Sequence, residues 1–175
     1  MKAFKLFLGA LFLIAMYSCT KSGAAVAGND IQATSDEILL ANNSGPSANG
    51  QGGLLINDRV QHFAFHASID KDGNVSGSWE SKSPGQNVRT HGTITCLQLV
   101  DNKTAIMSGI ITHRAGDDFP GTNVGDPIYF KVRDNGEGAN SAGDLFTDYY
   151  PGFNNCSNLN LPFQPIVNGN IQVKP

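Results

Sequence analysis

Gln86 to His113, QNVRTHGTITCLQLVDNKTAIMSGIITH, reads as two long strands joined by a tight turn at Asp101-Asn102-Lys103. Apolar residues alternate with Thr, Arg, Gln and His on the first arm, the period of two that a half-buried strand requires. The alternation then changes sides. Val88, Ile94 and Cys96 share one parity, whereas Leu97 and Leu99 take the other, so a β-bulge near Cys96-Leu97 is expected to return both sets to the interior. On the second arm Ile106 and Ile110 fit the register after that bulge, while Met107 and Ile111 face the other way. A fully paired strand covered on both faces would accommodate both sets, and the choice stays open.

Upstream, Gln61 to Asp70 is a strand in which Phe63, Phe65, Ala67 and Ile69 alternate with polar residues. Lys71-Asp72-Gly73 fits a three-residue hairpin loop with Gly73 at the left-handed position. That register sets Ile69 against Val75, Ala67 against Gly77 and Phe65 against Trp79, all on one face. The next turn, Ser83-Pro84-Gly85-Gln86, pairs Lys82 with Asn87, Gly77 with Gly92 and Trp79 with Thr90. Facing glycines beside an aromatic bend a sheet sharply, so the sheet is expected to curl. Gly53 to Asn57 supplies a short strand before these.

Downstream, Arg114 to Asp126 is a charged loop, and Ile128, Phe130 and Val132 alternate in another strand. A Gly-rich loop from Asn135 to Gly143, a short strand from Leu145 to Tyr150 and a long irregular crossing to Pro165 follow. Ile166 to Val173 is the last strand, with Val167, Ile171 and Val173 apolar. The expectation is an all-β domain: an antiparallel meander of about eight strands curled into a barrel, with a two-sheet β-sandwich as the alternative.

The amino terminus reads as an export signal. Lys2 and Lys5 precede the apolar run Leu6 to Ala15, which is too short to span a bilayer. Two cleavage readings compete. In one, residues 1–18 are a lipoprotein-type signal peptide and Cys19 takes a lipid that anchors the chain to a bacterial membrane. In the other, cleavage after Ala25-Val26-Ala27 releases a soluble secreted protein, although that site lies far beyond the apolar core. Residues 19–50, rich in Ala, Gly, Asn and Ser, read as a flexible tether, and 51–175 as the domain.

Setting aside Lys2 and Lys5 from the 12 basic residues leaves ten against 15 acidic ones, a net charge of −5. That balance argues against nucleic acid as a partner. With Cys19 lipidated, Cys96 and Cys156 remain as a pair for a disulfide in an oxidising compartment.

Three constellations are candidates for chemistry. His113 with Asp117 and Asp118, beside Arg114, opens the longest charged loop and is a candidate acid/base group for a hydrolase-like enzyme. Asp134, Glu137 and Asp144 offer oxygens of the kind calcium takes, but they miss the twelve-residue calcium-loop pattern, and Asp-Asn-Gly is also ordinary turn chemistry. His62 and His66 share a strand face roughly 13 Å apart, too far to share one ion without a neighbour such as His91. No phosphate loop, nucleophile elbow or paired zinc-ligand motif occurs, so calcium is the one cofactor in view.

His62-Phe63-Ala64-Phe65, His91-Gly92-Thr93-Ile94-Thr95-Cys96-Leu97 and Asn102-Lys103-Thr104-Ala105 ahead of Ser108-Gly109 stand in a distinctive order. Val132-Arg133-Asp134-Asn135-Gly136-Glu137-Gly138, Asp144 and Gly169-Asn170-Ile171-Gln172-Val173 continue it. In that order the chain from about Gly52 to Val173 resembles a group of uncharacterised all-β domains of secreted bacterial proteins and lipoproteins. The resemblance implies an exported module without an agreed activity and transfers no catalytic residue. The functional expectation is a lipid-anchored binding or structural accessory module, its ligand a small apolar molecule, a glycan or a protein. A hydrolase using the His113 to Asp118 loop is the alternative.

Overall fold

The computed structural model describes residues 45–137 and 143–175, so the stretch read as an export signal, Cys19 and the first part of the stretch read as a tether lie outside the described residues. Ten strands follow in turn: β1 (Ser47–Ile56), β2 (Arg59–Ile69), β3 (Val75–Ser83), β4 (Val88–Leu99), β5 (Thr104–Gly116), β6 (Pro127–Arg133), β7 (Leu145–Phe146), β8 (Tyr150–Pro151), β9 (Gln164–Pro165) and β10 (Asn168–Lys174). They make one antiparallel sheet in the order β10-β1-β2-β3-β4-β5-β6-β7-β9, with β8 also on β6. The expected all-β meander is present as a curled half-barrel. Its count exceeds eight because the late crossing touches the sheet in two-residue pairings.

β1 begins at Ser47, inside the stretch read as tether and ahead of the strand expected from Gly53. Its inward face is Ala48, Gly50, Gly52 and Leu54, and the two glycines lie opposite Phe65 and Phe63. A Cβ on Gly50 would come within 2.8 Å of the Phe65 ring, and one on Gly52 within 3.0 Å of Phe63. Here a linker-like composition is a strand whose interior is filled by its neighbour's rings.

The β2–β3 hairpin has the expected register, Ile69 with Val75, Ala67 with Gly77 and Phe65 with Trp79, and Gly73 is left-handed at φ 84°. Asp70 fixes that turn by accepting the N–H groups of Asp72 and Asn74 at 2.9 and 2.8 Å. The next register differs from expectation by two residues. Pro84–Gln86 form a 3₁₀ turn closed by Asn87 at φ 50°, so Ser83 pairs with Val88 and Trp79 lies opposite Gly92 rather than Thr90. Because the shift is even, every side chain keeps its face.

Two irregularities bend β4 and β5, one between His91 and Gly92 and one between Ile94 and Cys96. The second falls slightly before the expected bulge and leaves Ile94 and Leu97 inward. Cys96 therefore faces outward, against expectation, and so does Ile106, while Met107 and Ile111 enter the core, so this strand is covered on both faces and the open choice is resolved. The reason lies outside the curl. The chain after β8 crosses the outer face of β4, β5 and β6, where Leu159 and Leu161 pack with Ile106, Tyr129, Cys96 and Cys156. Cys96 and Cys156 form the expected disulfide, Cα atoms 6.0 Å apart. Lys131 Nζ donates to the Leu159 carbonyl at 3.0 Å and holds the crossing down.

Inside the curl the space is filled by Phe63, Phe65, Phe130 and Phe146, with Phe63 and Phe146 centroids 4.5 Å apart. Burial of a large apolar side chain contributes on the order of 1.5–3 kcal/mol, so this cluster is the main stabilising unit. The two sheet edges are joined by other means than a ladder. Ile166 N–H donates to the Asp144 carbonyl and Val167 N–H to that of Gly53, so the chain itself steps from one edge to the other. Val167 is consequently exposed, whereas Ile171 and Val173 enter the core as expected.

Candidate functional site

At one end of the curl, where the phenylalanine cluster stops, a pocket of about 140 Å³ opens. Its wall is mainly apolar: Ile56, Trp79, Ile111, Phe119, Ile128 and Tyr149. That size compares with an engineered cavity of about 150 Å³ that accepts benzene in another protein. Concave, mostly apolar pockets with a few placed polar groups are the usual form of a ligand site, and this one is smaller than their usual range of about 300–1,000 Å³.

One of the polar groups arrives through a further bulge. Phe146 pairs with Val132 in β7, and Tyr150 pairs with Tyr129 in β8, so three residues on one strand oppose two on β6. Lys131 bonds with Thr147 through Lys131 N–H to Thr147 Oγ1 (2.9 Å) and Thr147 N–H to the Lys131 carbonyl (3.0 Å). The surplus residue is Asp148, held left-handed at φ 71°. Such conformations are uncommon outside glycine, though Asp tolerates them, and bulges commonly re-aim a side chain beside a site. Here the bulge turns Asp148 into the pocket wall and lets Phe146 and Tyr149 both pack inward. The Tyr149 ring lies 4.9 Å from Trp79, and its hydroxyl donates to the Glu80 carbonyl at 3.0 Å.

Asp148 Oδ1 accepts the Gln61 Nε2–H at 2.9 Å and the Tyr149 N–H at 2.7 Å. Oδ2 has no partner among the described residues. Burial pushes the Asp148 carboxyl above its ordinary value, and the two donors offset this only in part. Ser81 and Thr90, cross-strand partners on the inner face, line the same pocket, and their hydroxyls make no hydrogen bond among the described residues. The Trp79 indole N–H is buried and likewise unpartnered. A buried unpaired donor costs about 1–3 kcal/mol.

Comparison with protein-family models, curated proteins and solved structures finds no match to the chain.

The candidates read from the sequence lie elsewhere. His113 stacks on His91 on the outer face, centroids 4.8 Å apart. The charged loop is instead organised by Arg114, which pairs with Asp118 at 3.1 Å and bonds to Thr122 Oγ1 and the Asp117 carbonyl. Among the described residues no hydrogen bond links His113 to Asp117 or Asp118. His66 and His91 border an open polar groove of about 670 Å³ on the outer face, with Asn49, Gln51 and Arg89 beside them, and His62 lies outside it.

Asp134, Glu137 and Asp144 all serve the sheet edge. Asp134 Oδ2 accepts the Val173 N–H at 3.1 Å, Asp144 Oδ2 accepts the Ile171 N–H at 2.7 Å, and Glu137 Oε1 accepts Asn170 Nδ2–H at 2.7 Å. The other oxygens of the two aspartates accept Gly136 and Asn135 N–H groups. Among the described residues no group of three or more His, Cys, Asp or Glu side chains is arranged to hold a metal ion.

Sequence reading does not pick out Asp148, Ser81 or Thr90 of the pocket. Its one signal is the spacing of Phe146 and Tyr149, three residues apart in a stretch read as a regular strand, where alternation cannot turn both rings inward.

Proposed function

We propose that the protein is an exported, lipid-anchored binding module whose small-molecule ligand occupies the pocket at the mouth of the curled sheet. The free Asp148 Oδ2 and the Ser81 and Thr90 hydroxyls, which make no hydrogen bond among the described residues and line one mainly apolar pocket, carry this reading. The packed phenylalanine interior restricts the ligand to that end. Export and anchoring are supported by the signal-like amino terminus, by Cys19 at its close and by a disulfide suited to an oxidising compartment. The resemblance to domains of secreted bacterial proteins agrees with that placement outside the cytoplasm. A hydrolase acting through His113 has less support, because Asp118 pairs with Arg114 and no hydrogen bond among the described residues links His113 to Asp117 or Asp118.

Trp79 is the single tryptophan of the chain, so its emission reports directly on the pocket. A panel of small ring compounds is expected to include molecules that change that emission saturably. A flat response across the whole panel removes the binding reading. Anchoring is tested separately by metabolic labelling with palmitate, which is expected to label the wild type and to be lost in Cys19→Ala; labelling that survives removes the anchor.

A further inference from the structure

The polar groups of the mouth pocket also define the chemistry of what it holds. We infer that the ligand is a neutral ring bearing hydroxyl groups, such as the terminal pyranose of a glycan or an aryl alcohol, with its hydroxyls between Asp148, Ser81 and Thr90. The inference rests on the pocket being a binding site and deepens that reading.

The argument is one of donors and acceptors. Asp148 Oδ1 already accepts two hydrogen bonds, so Oδ2 is the oxygen left for a ligand donor. Ser81 and Thr90 stand opposite each other on β3 and β4, and each hydroxyl both donates and accepts. The Trp79 N–H only donates. A hydrocarbon would leave all four groups unsatisfied, at about 1–3 kcal/mol for each buried one. An anion would meet the Asp148 carboxylate, and no Lys or Arg lines the pocket to offset it. An ammonium ion would suit Asp148 but would set a donor against the indole donor. A hydroxyl is a compact neutral group that can donate to Asp148 Oδ2 and accept from Ser81 or Thr90.

Size and walls agree with this. About 140 Å³ admits one ring, and Trp79, Tyr149 and Phe119 provide flat apolar surfaces for the face of a sugar or an aromatic ring. Gln61 and the Tyr149 backbone hold Asp148 in position before any ligand arrives, which reduces the ordering that binding must impose.

The test follows the single indole resonance of ¹⁵N-labelled full-length protein during titration with five probes: methyl α-D-glucopyranoside, phenol, benzylamine, benzoate and benzene. At least one of the two hydroxylated probes is expected to shift it saturably and to bind more tightly than the other three. Asp148→Ala is expected to weaken that binding at least tenfold, with Asp148→Asn, which keeps an acceptor, in between, and Thr90→Val several-fold. The glycoside alone indicates a saccharide source, and phenol alone an aryl alcohol. Benzylamine, benzoate or benzene binding at least as tightly as both hydroxylated probes overturns the ligand class while leaving the pocket as a site. Unchanged binding in a folded Asp148→Ala protein overturns it too. If none of the five moves the resonance, the pocket reading itself fails and the class falls with it.

Discussion

The Ile171 N–H donates to Asp144 Oδ2 at 2.7 Å, and this bond between residues 27 apart joins the two edges of the sheet. Asp134 does the same for Val173 one step along β10. Carboxylates thus stand where a further strand would supply carbonyls, and the free N–H groups of an edge strand are capped instead of left open.

Replacing Asp144 by Ala strands the Ile171 and Asn135 N–H groups, and Ile171 is fully buried. An unsatisfied buried donor costs about 1–3 kcal/mol, so Asp144→Ala is expected to lose roughly 3 kcal/mol in urea unfolding. Asp134→Ala is expected to lose about half as much, since it serves a strand end. A loss for Asp144→Ala no larger than that of an ordinary surface substitution, about 0.5 kcal/mol, contradicts the role of the bond.

The disulfide closes a separation of 60 residues. In the chain-entropy account its removal costs about 4 kcal/mol, and Cys96→Ala with Cys156→Ala is the variant to measure. Because the bridge lies in the outer cluster, amides of the crossing around Cys156 are expected to lose hydrogen-exchange protection before those of β2 and β3. Uniform loss across the sheet argues against a separate outer layer.

At Gly92 the backbone leaves no space. An added Cβ would lie 2.0 Å from the Ile110 carbonyl oxygen and 2.8 Å from Trp79 Nε1. Gly92→Ala is expected to lose about 2–3 kcal/mol and to shift the emission of the sole tryptophan. Gly73→Ala meets open space and pays only for its left-handed backbone, about 1 kcal/mol, with emission unchanged. Equal losses at the two sites contradict the steric account.

Burial raises the carboxyl of Asp148, so the folded state holds its proton more tightly than the unfolded chain does. The unfolded state therefore binds fewer protons between the ordinary value near 3.8 and the raised one, and stability from this group falls as pH rises through that window. Asp148→Asn keeps the left-handed fit and an acceptor for Gln61, and is expected to raise Tm at pH 7 relative to the wild type but not at pH 3. A variant whose Tm difference is the same at both pH values contradicts the assignment.

Local chemistry in the sequence is what proved legible. Lys71-Asp72-Gly73 encodes both turn type and register, and the Phe65–Trp79 pairing follows from it without tertiary information. The neighbouring turn is less legible because Asn87 takes the left-handed role usually read from a glycine, which moves the four-residue loop one position along the chain. Alternation puts Cys96 inward and leaves Ile106 undecided against Met107, because it says which residues share a face, while only the distant crossing says that the outer face is also covered. The pocket depends on a bulge at Asp148 set by pairings of residues 145–151 with β6, a relation between segments that periodicity within either cannot reveal.

The crossing that bears Cys156 has one further consequence. Ile106 and Tyr129 are wholly buried although they sit on the outside of the wall, because that crossing lies over them. Reduction would therefore do more than loosen the unfolded chain. Once the crossing lifts, a contiguous apolar patch comes to the surface of an otherwise polar wall, and such patches promote self-association. The bridge bears on solubility as well as stability: a chain in which it has not formed would be sticky before it was unfolded.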